Sequence, residues 1–288
     1  MPLRPYRALR ERFVLAGEAA AAAAKQEAGV EAPPDTRAAA FFDLDNTLLR
    51  GASIFYLARG LYARKFFQTR DVARFAYQQV RFLIGAENAG HVDQARATAL
   101  SFIAGRAVEE LQEVSEEVFE QYMAGKIWPG TLELARLHLD QGQRVWLVTA
   151  APVEVATIIA KRIGLTGALG TVAEHVNGHY TGRLVGDLLH GPAKAEAVRA
   201  LAVREGLELE RCAAYSDSAN DIPMLSLVGK PCAVNPDRAL RAHAREHGWR
   251  IRDYRGRRRN TTIGIAAGAG AAAGAAVGVL AARRHRRA

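Results

Sequence analysis

Two pairs of carboxylates stand where apolar runs end. They are Asp43 and Asp45 with the run at 38–44, and Asp217 and Asp221 with the run at 212–215. Both runs are typical of buried parallel strands, whose carboxyl ends meet at one edge of a sheet. A carboxylate at such an edge can attack phosphorus, while a second one protonates a poor alkoxide leaving group. The spacing therefore indicates phosphoryl chemistry, although a single D-x-D also occurs in ordinary exposed acidic turns.

A cation and a phosphate are the groups that such a cluster would need. Four acids at one edge repel one another unless a cation lies among them, and Mg²⁺ prefers oxygen ligands. Thr149 ends the apolar run at 145–148 and can donate a hydrogen bond to a phosphate oxygen, while Lys194 can neutralise phosphate charge. Taken singly, Thr149 also suits a helix cap and Lys194 an exposed surface, so only the combination indicates a phosphate site.

Strand-like and helix-like segments alternate along the chain. The strand-like runs are at 38–44, 145–148, 212–215 and 232–234, and the helical stretches are at 132–139, 153–163, 193–204 and 222–227. Such alternation predicts an α/β fold with a Rossmann-like parallel sheet, helices on both faces and the site at the carboxyl ends of the strands.

Residues 51–128 interrupt this alternation. They contain no convincing strand and favour several helices, which predicts a helical cap inserted directly after the first strand. The segment is rich in aromatic residues, most of which we expect to pack the cap's own helices. They are Phe55, Tyr56, Tyr62, Phe66, Phe67, Phe75, Tyr77 and Phe82.

The order of these motifs resembles that of haloacid dehalogenase-like phosphatases: Asp-x-Asp-x-Thr, Thr, Lys, then Asp-x-x-x-Asp. The resemblance covers about 38–252 and is closest to the phosphoserine-phosphatase-like branch of that superfamily. The stretches that carry it are FFDLDNTLLRGAS at 41–53, NGHYTGRLVG at 177–186, YSDSANDIPML at 215–225 and KPCAVNPDRAL at 230–240. No single motif is specific, but a chance match of the whole set is improbable.

The resemblance implies a mechanism with a covalent intermediate. Asp43 would attack phosphorus and become an aspartyl phosphate, while Asp45 would protonate the leaving oxygen and later activate water. Mg²⁺ would be held by Asp43, by the main-chain carbonyl of Asp45 and by Asp217. The expected activity is that of a Mg²⁺-dependent phosphoric monoester hydrolase.

The remaining site residues follow from the same resemblance. Thr149 and Lys194 would bind the phosphoryl oxygens, and Asp221 would orient Lys194 or a metal-bound water. Asn220 would support the phosphate or the substrate side of the loop. Three histidines near the expected substrate flap, at 175, 179 and 190, are interpreted as surface or structural residues because Asp45 already supplies proton transfer.

Two departures from the branch bear on the substrate. Phosphoserine phosphatases carry a glutamate shortly after the first motif that holds the substrate ammonium, whereas residues 49–53 read LRGAS and contain no acid. After Thr149 the chain has Ala150-Ala151-Pro152 where those enzymes have glycines. Both differences leave hydrolysis intact and weaken the case for phosphoserine.

Charge and cysteine content limit the other classes of function. The formal net charge is +9, but residues 250–288 carry ten arginines and one aspartate, so residues 1–249 sum to zero. A basic tail alone is the only support for a non-catalytic membrane or nucleic-acid-binding protein, and we expect no specific nucleic acid as partner. Cys212 and Cys232 form no disulfide or metal-ligand pattern, which favours a reducing compartment.

The two ends of the chain are expected to lie outside the catalytic core. Residues 1–37 are predicted to form a helical or disordered lead, and residues 38–50 and 129–252 the core. Within the basic tail, 253–288, residues 263–282 form 20 uncharged small or apolar residues flanked by arginines, about the length of a transmembrane helix. Glycines four apart there suit close helix contact and oligomerisation.

The tail shapes the substrate hypothesis. If residues 263–282 form an anchor rather than a flexible Ala/Gly tail, a cytoplasmic catalytic domain is held at a membrane and a lipid-linked or other apolar phosphate ester is the leading substrate. The alternative is a soluble metabolite such as phosphoserine.

Overall fold

The computed structural model describes residues 4–23, 35–66, 100 and 103–255 of the 288. The chain divides into two compact units, residues 1–251 and 252–288. The second unit is described only from Arg252 to Arg255. Every residue of the candidate site lies in the first unit.

A six-stranded sheet forms the centre of the fold. Its strands are β1 (Ala39–Asp43), β2 (Arg144–Pro152), β3 (Gly167–Thr171), β6 (Ala213–Ser216), β7 (Lys230–Val234) and β8 (Arg250–Arg252). The strand order is β3-β2-β1-β6-β7-β8, and β1 pairs in parallel with both β2 and β6. A separate antiparallel hairpin consists of β4 (Ala173–Val176) and β5 (His179–Leu184). Parallel pairing brings the carboxyl ends of β1, β2 and β6 to one edge.

Helices cover both faces of the sheet. They are α1 (Arg4–Ala23), α2 (Ser53–Ala63), α3 (Val108–Val118), α4 (Pro129–Asp140), α5 (Val153–Arg162), α6 (Pro192–Glu205), α7 (Ile222–Leu225) and α8 (Arg238–Glu246). In β1, Phe41 joins a core with Leu201 of α6, whereas Phe42 stacks on Tyr215 beside His138 of α4. Successive side chains of a strand point to opposite faces, so both faces are buried. The predicted α/β class with helices on both faces is confirmed.

The described part of the predicted cap is helical. A Cβ added to Gly60 of α2 would lie 2.0 Å from Cγ2 of Val118 in α3, so the glycine allows these helices to approach closely. Arg162 of α5 contacts Glu116 and Glu120, the latter at 2.5 Å, which links the cap to the core. The cap boundaries 51–128 stay a prediction.

Four of the eight aromatic residues named for the predicted cap belong to the described part of the chain. Phe67, Phe75, Tyr77 and Phe82 lie outside the described residues. Among the others, Phe55 and Tyr62 are exposed, while the hydroxyl of Tyr56 donates to the carbonyl of Arg50 at 2.7 Å. Phe55 and Tyr62 therefore do not form the helix-packing core expected from the sequence.

The N-terminal segment, predicted as a helical or disordered lead outside the catalytic core, contains the helix α1, which packs on that core. α1 buries Ala16, Ala20 and Ala21 in the same core as α6. Gly17 lies directly on α6, since an added Cβ would come within 2.7 Å of the backbone of Glu196 and Ala197. The residues that make this contact are too small to give the segment an apolar stripe that sequence analysis could recognise.

The predicted C-terminal hydrophobic helix at 263–282 lies outside the described residues. Within the described part of the chain, no helix is long and apolar enough to cross a membrane.

Candidate active site

A cleft of about 250 Å³ lies at the carboxyl ends of β1, β2 and β6. Its described lining comprises Asp43, Asp45, Asn46, Thr149, Ala150, His190, Lys194, Asp217, Ser218, Asp221 and Asp237. Six of the seven site residues proposed from the sequence are therefore together, and Asn220 is the exception. Asn46, His190, Ser218 and Asp237 are polar lining residues to which the sequence analysis assigned no role.

The sheet register explains the convergence. Asp43 is the last residue of β1 and lies opposite Val148, the residue before Thr149 in β2. On the other side of β1, Phe42 lies opposite Tyr215, two residues before Asp217. Adjacent parallel strands thus deliver both acidic motifs and the threonine to the same edge.

Lys194 connects the two acidic motifs. Its Nζ donates to Asp43 Oδ1 at 2.5 Å and to Asp221 Oδ2 at 2.8 Å, and Ser216 Oγ donates to the same Asp221 oxygen at 2.7 Å. Asp43, Lys194 and Asp221 are all at least nine-tenths buried.

Two features position the helix α6 that carries Lys194. Proline at its start suits the first helical turn. The loop before α6 is held at the carboxyl end of β3, because Thr171 Oγ1 accepts a hydrogen bond from Leu189 N at 3.0 Å.

The balance of buried charge perturbs these groups. Burial raises the pKa of Asp43 to about 7, with Asp221 and Asp45 adding to the rise and Lys194 opposing it. Burial alone would lower the pKa of Lys194, but Asp43 and Asp221 together hold it above its ordinary value. One buried ammonium shared by two carboxylates leaves negative charge in excess, which favours a further cation at this edge.

Asp45 lies where the chain turns out of the sheet toward α2. Its Oδ1 accepts a 2.8 Å hydrogen bond from the backbone N–H of Ser53. Burial raises the pKa of Asp45, while the hydrogen bond from Ser53 opposes the rise. Asn46 has a φ of 59°, a left-handed conformation that asparagine tolerates better than most residues, and its Oδ1 accepts from Gly51 N at 3.2 Å. This turn places a second carboxylate beside Asp43, suited to proton transfer.

Thr149 presents a hydroxyl group to the cleft from a buried position. Its Oγ1 accepts a hydrogen bond from Ala151 N at 3.1 Å, which leaves the hydroxyl hydrogen able to point to an anion. The next residue, Ala150, has its carbonyl held by Thr171 Oγ1 at 2.7 Å. Thr149 is not a helix cap, because the residue before α5 is Pro152.

The loop after β6 is supported by Asp237. The carbonyl of Asp217 accepts from Asp237 N at 2.7 Å, and the Asp237 carboxylate accepts from Ala219 N at 2.9 Å and Leu240 N at 2.7 Å. Asp237 therefore holds this loop while it caps α8; an aspartate directly before an amphipathic helical pattern, with Leu240 and Ala244 on its buried face, is the signal that could have revealed it. Asn220 is exposed, its backbone N–H bonds Ser218 Oγ, and its substrate role stays a prediction.

His190 is placed differently from the other two histidines that the sequence analysis set aside. His175 and His179 lie on the β4–β5 hairpin, whereas His190 precedes α6 and lines the cleft with an exposed side chain. His190 is exposed, as expected of a surface residue, but it also lines the cleft. No isolated motif in the sequence distinguished it from the others, because only the fold brings its loop over the carboxyl edge.

The oxygen donors of the cleft fit Mg²⁺. In the described residues no three His, Cys, Asp or Glu side chains form a ready-made metal cage. The predicted ligands are two carboxylates, of Asp43 and Asp217, and the main-chain carbonyl of Asp45, all in residues that line this cleft. Mg²⁺ commonly takes one or two carboxylates and fills its other positions with water and phosphate oxygen. This donor set and the excess buried negative charge match that preference.

Comparison with protein families gives a match over residues 40–226 to the family described as haloacid dehalogenase-like hydrolase. Among curated proteins, the chain is 56% identical over 257 residues to phosphoserine phosphatase SerB1 of Mycobacterium tuberculosis, covering 88% of this chain and 83% of that protein. It is also 34% identical over 218 residues to a probable phosphatase of the same organism, covering 76% of each.

Among solved structures, a protein of unknown function from Bordetella pertussis matches with a TM-score of 0.66 and 31% identity. The match covers 75% of this chain and 98% of that one. The sheet with its flanking helices is thus shared with that protein.

Proposed function

The chain belongs to the haloacid dehalogenase-like hydrolase family, in its phosphoserine-phosphatase-like branch, and is a phosphoric monoester hydrolase; we propose that it works through a phosphorylated Asp43. The observation that carries this proposal is the arrangement of Lys194 between Asp43 and Asp221 at the buried end of a cleft that also contains Asp45 and Thr149. The nucleophile, the anion-binding groups and the proton donor therefore lie in one site.

In the first half-reaction a carboxylate oxygen of Asp43 bonds to phosphorus as the bond to the ester oxygen breaks. Lys194 and Thr149 stabilise the charge on the phosphoryl oxygens. Asp45 gives its proton to the departing alkoxide, which leaves as an alcohol. The raised pKa of Asp45 keeps a larger fraction of it protonated than an exposed aspartate would have.

In the second half-reaction Asp45, now ionised, takes a proton from the attacking water. The new oxygen–phosphorus bond forms as the acyl-phosphate bond breaks, which releases inorganic phosphate and returns Asp43 to its carboxylate. Asp221 keeps Lys194 aimed at Asp43 throughout, because both hydrogen bonds come from the same buried Nζ.

Asp43, Asp217 and the carbonyl of Asp45 are the groups that would hold Mg²⁺. When bound, it supplies positive charge that reduces repulsion between the attacking carboxylate and the phosphate dianion.

For the substrate we favour a small phosphate ester of a metabolite over a lipid. The relative that is 56% identical is named a phosphoserine phosphatase. The lipid-linked ester rested on residues 263–282, which lie outside the described residues. The absence of an acid at 49–53 still predicts weak recognition of a substrate ammonium.

Asp43→Asn tests the nucleophile. Turnover of any phosphomonoester should fall by roughly 10³-fold or more, as is usual when a covalent nucleophile is lost. Asp140→Asn is the matched control, because Asp140 is exposed at the end of α4 and should be silent. EDTA should abolish wild-type activity and Mg²⁺ restore it. Normal turnover by Asp43→Asn with an intact fold would rule out the proposed mechanism.

A substrate panel separates the two classes of ester. Wild-type kcat/KM is compared for phosphoserine and a lysophosphatidate at matched Mg²⁺ and detergent. We expect the soluble ester to be preferred. A clear preference for the lysophosphatidate would restore the lipid hypothesis.

A further inference from the structure

The charge lining the cleft restricts what the leaving group can be. The described lining contains five aspartates and only two side chains able to carry positive charge, Lys194 and His190. Lys194 is committed to Asp43 and Asp221. The aspartates would repel an anionic leaving group unless His190 binds it.

Depth in the cleft separates the roles of the two cations. Asp43, Thr149 and Lys194 are all no more than 5% exposed, so the phosphoryl-binding end is the deep end. His190 is exposed and therefore lies near the mouth. A phosphate ester that enters with its phosphorus toward Asp43 has its leaving group at the mouth, within the part of the cleft that His190 lines.

The histidine is available and its backbone is fixed. The imidazole of His190 makes no hydrogen bond or ion pair with another described residue, unlike the carboxylate of Asp237 at the same mouth, which accepts two backbone N–H groups. Leu189, fully buried, anchors one side through its bond to Thr171. On the other side Gly191 has a φ of 53°, and a Cβ added to it would lie 3.5 Å from the carbonyl oxygen of Asn220.

From this placement we infer that His190 is a specificity-determining residue that binds a carboxylate on the leaving group of the substrate. The inference rests on the proposed function and adds a residue that distinguishes small phosphate esters whose alcohol bears a carboxylate from those without one. The imidazole donates a hydrogen bond to that carboxylate and offsets its repulsion by the aspartates, while Asp45 remains the proton donor. His190 thus acts on affinity for one part of the substrate and not on phosphoryl transfer itself.

Two pairs of esters isolate the carboxylate. Phosphoserine and phosphoethanolamine differ only by that group, and phosphoglycolate and methyl phosphate form an equivalent pair without an ammonium. For wild-type protein, kcat/KM should favour the carboxylate-bearing member of each pair. In His190→Ala this preference should fall by about 10- to 100-fold, the range expected for a hydrogen bond to a charged group, mainly through KM. His190→Gln, which keeps a neutral donor, should retain part of it.

His247→Ala serves as the control, since His247 is exposed at the end of α8 and does not line the cleft. Thermal unfolding checks that each variant is folded. Equal loss on both members of a pair, or an unchanged preference, overturns the role of His190. If Asp43→Asn abolishes activity in the same assays while the preference is unaffected by His190→Ala, only this inference fails. If Asp43→Asn stays active, the proposed mechanism fails instead.

Discussion

The backbone N–H of Ser53 donates a 2.8 Å hydrogen bond to Oδ1 of Asp45. The first residue of the first cap helix therefore binds the side chain that we propose as general acid and base. Ser53 is the first residue of α2, an 11-residue helix. The N-terminus of a helix stabilises a nearby negative charge. The position of α2 therefore opposes the effect of burial and sets how readily Asp45 gives up its proton.

Ser53→Pro should shift the pH dependence of turnover. Proline removes the N–H but suits the first position of a helix, and Ala52 already has the extended backbone, with ψ of 126°, that a residue before proline requires. Without the donor, the pKa of Asp45 rises further. For an alkyl phosphate whose departure limits the rate, the alkaline limb of kcat should move to higher pH.

Ser53→Ala is the control, because it keeps the N–H and removes only the hydroxyl. Its pH profile should shift less than that of Ser53→Pro, because the hydroxyl lowers the pKa of Asp45 by less than the backbone N–H does. A Ser53→Pro profile that coincides with that of Ser53→Ala would show that the hydrogen bond does not tune Asp45.

The sheet edge was predictable because its signal is local. The runs ending at Asp43 and Thr149 are continuous and apolar, and parallel strands with such runs must place their carboxyl ends together. The side chains brought together by these strands, with Lys194 from α6, follow from topology once the order of motifs is recognised. Their individual roles stay predictions.

Other elements carry no such signal. β3 reads GALGT and is buried at all five positions, yet small residues give no strand pattern in the sequence. The buried face of α1 is built from alanine and glycine, which contribute by close approach and not by apolar area. His190 belongs to the cleft only because its loop runs between β3 and the motif around Asn220, a relation formed by residues distant in sequence.

Gly17→Ala should destabilise the protein, although this change normally stabilises a helix. The added Cβ would come within 2.7 Å of the backbone of Ala197, so α1 would have to move away from α6. We expect a loss of about 1–3 kcal/mol in the free energy of unfolding, the usual cost of overpacking. Thermal or urea unfolding measures it.

Gly125→Ala provides the comparison for Gly17. An added Cβ at Gly125 meets nothing within 4 Å, and its backbone is not in the left-handed region. That variant should match the wild type in stability. Equal stability of the Gly17→Ala and Gly125→Ala variants would mean that α1 and α6 do not pack as closely as described.

Asp43→Asn should also change how stability depends on pH when Mg²⁺ is chelated. The pKa of Asp43 is about 7 in the folded protein against an ordinary value of 3.8, chiefly because it is buried. The protonated Asp43 carboxyl therefore contributes to stability in full below pH 3.8, and this contribution is lost as the pH rises from there through about 7. Wild-type protein in EDTA should lose stability between about pH 4 and 7 more steeply than Asp43→Asn. Parallel curves would contradict the raised pKa.

His138 should make the fold sensitive to mild acid. Its Nδ1 lies 2.6 Å from Gln143 Oε1, an acceptor, so Nδ1 carries the hydrogen and the neutral ring accepts from the Tyr215 hydroxyl through Nε2 at 2.7 Å. Burial lowers the pKa of His138 below 6.5, with the Gln143 bond opposing this. The stabilising contribution is thus fully present above pH 6.5 and is lost as pH falls toward the lowered folded pKa.

The measurement is the free energy of unfolding between about pH 7.5 and 5.5, where one proton accounts for a slope of at most about 1.4 kcal/mol per pH unit. His138→Phe keeps an aromatic ring in the cluster with Phe42 and Tyr215 and cannot be protonated, so its curve should be flatter than that of the wild type even if its stability is lower throughout. His247→Ala removes an exposed imidazole and should keep the wild-type slope. If His138→Phe retains that slope as well, the acid sensitivity arises elsewhere and the neutral hydrogen-bonded state assigned to His138 is incorrect.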